Sequence, residues 1–164
     1  MLTLSMTLDL RAPVHRVWSV LLDFPKYREW HPFFKLAGAG AEGAVLDFTF
    51  RRHPNAPGGL TAKATIVRLQ PEEVFAFRYG VRGVLLAEDR FELLPINGRT
   101  RLTRTTDYGG FVPFVSGWAA KKRMTSLLEM PVHSLARYLA GPNLPSAAKA
   151  AQIGQPRRRR RRRP

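Results

Sequence analysis

The sequence predicts an α+β domain in which a curved antiparallel β-sheet wraps around a long C-terminal α-helix, with two short helices after the first strand. Three observations predict it. Apolar residues alternate with polar ones at the N-terminus and again in a series of later segments, the period of strands with one buried face. A proline-bounded stretch between them carries apolar residues at three-to-four spacing. A last apolar stripe, from Met124 to Leu139, has the same helical spacing.

From Leu2 to Leu10 every even position is apolar and every odd one polar, which makes the first strand. Pro13 presets a helical turn, and Val14, Val17, Trp18, Leu21 and Leu22 form the apolar face of a helix that ends before Pro25. A second short helix runs from Pro25 to Trp30 and stops at Pro32. Leu46, Phe48 and Phe50 then share one face of a strand, with Asp47, Thr49 and Arg51 on the other. After a turn cluster at His53 to Gly59, the segments Leu60 to Leu69, Val74 to Tyr79, Val84 to Leu94 and Arg99 to Tyr108 read as an antiparallel meander with short connections. Ser116 can cap a helix reaching about Ala140, striped by Met124, Leu127, Leu128, Leu135, Tyr138 and Leu139 and ended by Gly141-Pro142. Pro131 should kink or divide that helix, at a cost of ~3 kcal/mol unless packing compensates. A curved sheet gripping one helix buries both apolar faces and leaves a cavity between them, the helix-grip arrangement.

The chain has 164 residues, 45% of them hydrophobic and 24% charged, so it can bury a core without staples. It has no cysteine, which excludes disulfides, thiolate metal sites and a cysteine nucleophile and fits a reducing compartment. No apolar stretch approaches the ~18 residues of a membrane span, and the expected location is the cytoplasm. Of the formal charge of +15, seven charges belong to the run Arg157 to Arg163, which leaves a moderately basic body at +8. Residues 1–141 are expected to form the domain, and residues 142–164 a flexible basic tail.

Ala12-Pro13, Val17-Trp18, Leu21-Leu22-Asp23-Phe24, Tyr27, Trp30, Pro32, Phe91-Glu92-Leu93, Gly98 to Thr103 and Tyr108-Gly109-Gly110 fall in an order that resembles the Bet v 1-like or START-like (SRPBCC) superfamily. The resemblance is to the bacterial branch named for polyketide cyclases, dehydrases and lipid transport. It implies an internal pocket for an apolar or aromatic small molecule. Members include cyclases, quinone-binding chaperones, hormone receptors and lipid carriers, and the fold does not choose among them. No enzyme-specific motif carries a catalytic residue across.

The hairpin from Val84 to Tyr108 offers the best local argument. If Pro95-Ile96-Asn97-Gly98 is the turn, Leu94 faces Arg99, Phe91 faces Leu102, Asp89 faces Arg104 and Leu85 faces Tyr108. A tighter turn at Asn97-Gly98 shifts the register by two and leaves the faces unchanged. Because Arg99, Arg101, Thr103, Thr105 and Asp107 are all polar, the face with Leu102 and Tyr108 is the buried one. Asp89 and Arg104 then form a charged pair on the concave face, either orienting a ligand's carbonyl, phenol or carboxylate or serving as a structural ion pair. Tyr79 and Tyr108 add hydroxyls, while Trp30, Phe48, Phe50, Phe77, Phe91, Leu102, Met124 and Leu128 supply apolar wall to the expected ligand site.

His15, His31, His53 and His133 are scattered without metal-binding spacing, so neither a metal nor any other cofactor is expected. His31, at the expected pocket mouth, is a candidate general base or a surface histidine; Asp89, Arg104 and Tyr79 are the other candidates for chemistry. Gly38-Ala39-Gly40-Ala41-Glu42-Gly43 matches the dinucleotide-binding pattern formally, but a strand follows it where a helix is required and Lys63 stands where an acid is needed. Three functions remain open. They are a carrier, sensor or chaperone for a lipid, quinone or polyketide; a polyketide cyclase/dehydrase-like enzyme; and non-specific contact of Arg157 to Arg163 with nucleic acid or an anionic membrane.

Overall fold

A computed structural model describes residues 2–51, 53–54, 56–81, 85–110 and 117–141. Its strands are β1 (Leu2–Leu10), β2 (Phe34–Ala37), β3 (Val45–Phe50), β4 (Leu60–Gln70), β5 (Val74–Val81), β6 (Leu85–Ile96) and β7 (Arg99–Gly109). They form one antiparallel sheet in the order β1-β7-β6-β5-β4-β3-β2. Helix α1 (Val14–Leu22), a 3₁₀ turn (Phe24–Lys26) and α2 (Tyr27–Trp30) follow β1, and α3 (Gly117–Ala140) closes the domain. This is the expected α+β helix-grip architecture. Ser116 and the tail from residue 142 lie outside the described residues.

Alternation determines the faces. The outward residues of β1 and β7 pair as hydroxyls and charges, with Ser5 opposite Thr105 at 3.1 Å, Thr7 opposite Thr103 at 3.0 Å and Arg101 Nε on Asp9 at 2.7 Å. The inward residues meet α3, whose buried positions Leu128, Val132, Leu135 and Leu139 recur at helical spacing. Thr100 ties the start of α1 to the sheet by donating its hydroxyl to Ala12 O at 2.8 Å.

Three expectations change. The strand β2 was not anticipated, because Phe34-Lys35-Leu36-Ala37 is too short to show a period; it forms by pairing with β3, Phe34 against Phe50. The hairpin turn is the tighter one: Asn97 (φ 48°) and Gly98 (φ 74°) both take left-handed backbone, as a two-residue type I′ turn requires, and Ile96 faces Arg99. Helix α3 runs unbroken through Pro131. The dinucleotide-like loop joins β2 to β3 and docks on β4, where Glu42 accepts the Leu69 N–H at 2.8 Å beside the register shift at Ile66/Arg68.

Candidate functional site

Antiparallel register sorts the concave face into rows. One row runs Ile66, Phe77, Asp89, Thr106, Leu4, and the next Phe75, Phe91, Arg104, Met6. Asp89 therefore faces Thr106, not Arg104; Arg104 faces Phe91 and reaches Asp89 diagonally. The correction follows from the two-residue turn, and a shift by two leaves both charges on the inner face.

Asp89 and Arg104 are 0% and 1% exposed. Arg104 donates Nε to one Asp89 oxygen at 3.1 Å and Nη2 to the other at 2.9 Å, a bidentate pair. Thr106 donates its hydroxyl to the same carboxylate. The guanidinium's Nη1 donates to Leu127 O at 3.1 Å and to Leu128 O at 3.2 Å. Leu127 O is the carbonyl that the N–H of residue 131 would meet in an ordinary helix, and Pro131 has none. Arg104 thus supplies the donor that the proline removed, which explains how α3 continues through it. Phe91 and Phe34 flank the guanidinium, their ring centroids 5.3 and 5.7 Å from Cζ.

Around this cluster stands an aromatic wall. Phe48 stacks on Tyr79 at 4.2 Å, Phe77 lies 5.7 Å from Tyr79, and Phe75 stacks on Phe91 at 6.0 Å. Burial, then the Asp89 carboxylate, pushes the Tyr79 hydroxyl well above its ordinary range and the Tyr108 hydroxyl up to about 12, so both are protonated donors at neutral pH. Phe77, Phe91 and Leu102 are fully buried. Trp30 and Leu128 are buried beside them, and Phe50 and Met124 are half-buried.

His31 is not at the surface: it is 1% exposed, with its ring stacked on Phe34 at 4.4 Å and lying parallel to Tyr27 at 5.8 Å. Its Nδ1 accepts the N–H groups of Phe34 at 2.9 Å and Phe33 at 3.3 Å. Two donors on Nδ1 place the proton of the neutral ring on Nε2. Burial first, then Arg104 and Arg51, hold its pKa well below the usual value. A ring with Nδ1 engaged and Nε2 protonated has no free lone pair, so the expected base becomes a hydrogen-bond donor. Trp30 Nε1, His31 Nε2 and Arg51 Nε are buried polar atoms without a partner among the described residues.

Thr106, Phe34 and Arg51 were missed by the sequence reading. Thr106 was within reach, since it shares the period-two face of Leu102, Arg104 and Tyr108; Phe34 and Arg51 depend on the unexpected β2–β3 pairing.

Toward β3 and β4 the concave face opens. Leu60 faces the same side as its partner Phe50 and is 80% exposed. Phe50, Gly59 and Leu60 line a cavity of about 470 Å³ with Arg123 of α3 on its far side. An apolar opening thus lies between sheet and helix, one ring from the aromatic wall, since Phe50 is 5.9 Å from Phe34.

The family model described as polyketide cyclase / dehydrase and lipid transport matches residues 1–140. No curated protein matches. A START superfamily protein from Mycobacterium smegmatis is similar in structure, with TM-score 0.69 and 18% identity over 84% of this chain and 97% of that one. Protein MLL2253 from Mesorhizobium loti gives 0.68 and 18% over 87% and 100%. CalU16 from Micromonospora echinospora gives 0.63 and 19% over 93% and 89%. At these identities the likeness shows a shared fold.

Proposed function

The chain belongs to the polyketide cyclase / dehydrase and lipid transport family, and from that premise we propose that it binds a hydrophobic or aromatic small molecule between the sheet and α3, as a carrier, sensor or chaperone. The observation that carries this reading is the apolar opening at Phe50 and Leu60, where Phe50 lies 5.9 Å from Phe34 of the buried aromatic cluster. Phe48, Phe50, Phe77, Phe91, Leu102, Met124, Leu128 and Trp30 are the wall, and Tyr79 and Tyr108 supply hydroxyls to a ligand's acceptor.

Binding is favoured over catalysis because the charged groups are already committed. Asp89 and Arg104 direct their hydrogen bonds to each other, to Thr106 and to α3, so we assign the pair a structural role. A chain without cysteine fits a reducing compartment, and we assign it to the cytoplasm.

Titration with N-phenyl-1-naphthylamine, a neutral probe that fluoresces when its surroundings become apolar, tests the reading. Saturable one-to-one binding is expected, weakened about tenfold by Leu60→Asp, which desolvates a carboxylate at the cavity wall. Absence of saturable binding to the wild-type protein would sink the proposal.

A further inference from the structure

The α2–β2 corner holds buried donors, Trp30 Nε1, His31 Nε2 and Arg51 Nε, for which the described residues provide no acceptor. The His31 ring is clamped between Tyr27 and Phe34, and its Nδ1 is occupied by two backbone N–H groups, so it cannot turn Nε2–H toward another partner. A buried donor left unmet costs about 1–3 kcal/mol, which an acceptor at that place would recover. Arg51 stands across the β2–β3 junction, its own N–H donating to Phe33 O at 2.7 Å while the Phe33 N–H points at His31. Arg51 is 8% exposed. All twelve acidic residues of the chain are among the described ones, and none of the ion pairs among them involves Arg51. The contrast with Arg104 is sharp, for that guanidinium is neutralised by Asp89 at 2.9 Å. The Arg51 Nε is buried without a partner among the described residues, and a charge without a counter-charge is expensive.

We propose that this corner receives a carboxylate of the bound small molecule, one oxygen accepting the His31 Nε2–H while the Arg51 guanidinium balances the charge. The inference rests on the apolar-ligand reading and adds the ligand's polar end. A neutral carbonyl would satisfy the hydrogen bond and leave Arg51 unbalanced. A phosphate would need more donors than an aromatic corner of Tyr27, Trp30 and Phe34 provides. Phe34 stacks on His31 on one side and lies 5.9 Å from Phe50 on the other, so a ligand entering at Phe50 and Leu60 reaches the corner along the edge of the Phe34 ring or by displacing it.

The test is calorimetric titration of the full-length protein with 2-naphthoate and with its neutral isostere 2-naphthamide, near neutral pH and at physiological ionic strength. The wild type should bind naphthoate at least about tenfold more tightly, the scale of one charge-assisted hydrogen bond. His31→Phe keeps the stack and removes the donor; Arg51→Met removes the charge. Arg51→Met should cut the preference about tenfold; His31→Phe, which removes a hydrogen bond that the amide carbonyl also accepts, should weaken both probes and naphthoate the more. Equal binding of the two probes by the wild type overturns the inference and leaves the apolar-ligand reading standing. A naphthoate preference that survives both substitutions also overturns it, because that preference then belongs to other basic groups such as the arginine run. If neither probe nor N-phenyl-1-naphthylamine binds, both readings fall. The wild-type ratio decides even if a variant fails to fold.

Discussion

Arg104→Lys, placed in the wild-type background and in Pro131→Ala, isolates the contact by which the sheet repairs the helix. Arg104 makes four hydrogen bonds, two to Asp89 and two to the carbonyls of Leu127 and Leu128. A lysine ammonium is a single point of donors and cannot serve both Asp89 and the helix at once. Losing the helix edge of the fork should cost about 3 kcal/mol, two charge-assisted hydrogen bonds at the lower end of their usual worth. That is a large share of the 5–15 kcal/mol of an ordinary domain, yet small enough to leave the variant folded, which Arg104→Met would not ensure. In Pro131→Ala the restored N–H meets Leu127 O, and the same lysine substitution should cost about 1–2 kcal/mol less. Urea unfolding followed by tryptophan fluorescence, with equal slopes for all four proteins, gives the coupling directly. If the two substitutions add to within about 0.5 kcal/mol, the repair of Pro131 by Arg104 is refuted.

His31 is held neutral in the folded protein while the unfolded chain protonates it near pH 6.5, so stability should fall as pH drops below that value, at up to about 1.4 kcal/mol per pH unit. Urea midpoints across that range should show a shallower pH slope for His31→Asn than for the wild type, and equal slopes would contradict the burial argument. Gly80→Ala should destabilise by at least about 2 kcal/mol, because Gly80 has φ 115° and an added Cβ would lie 2.2 Å from Leu85 O; a shift of the urea midpoint reads it. Deleting residues 156–164 should remove most salt-sensitive retention on immobilised DNA, given seven arginines and a slope of about −0.9 per phosphate contacted, while leaving N-phenyl-1-naphthylamine affinity unchanged.

The faces of the strands were legible from alternation alone. Side chains repeat every two residues, so Asp89, Arg104 and Tyr108 share the inner face whichever turn closes the hairpin, and Tyr79 shares the inner face of β5 with Phe75 and Phe77. The same locality explains the helix stripe through Leu128, Leu135 and Leu139. What the sequence could not determine was who meets whom across the fold. Thr106 stands opposite Asp89 because two residues of left-handed backbone, Asn97 and Gly98, close the turn. His31 is buried because Tyr27 and Phe34, on elements too short to carry a period, close over it. Pro131, by local rules a helix breaker, is tolerated because an arginine 27 positions earlier reaches the carbonyl it orphans. Periodicity is a property of neighbours along the chain and survives in one dimension; hydrogen-bond partners are chosen by distance in three, and only the folded sheet and helix bring them together.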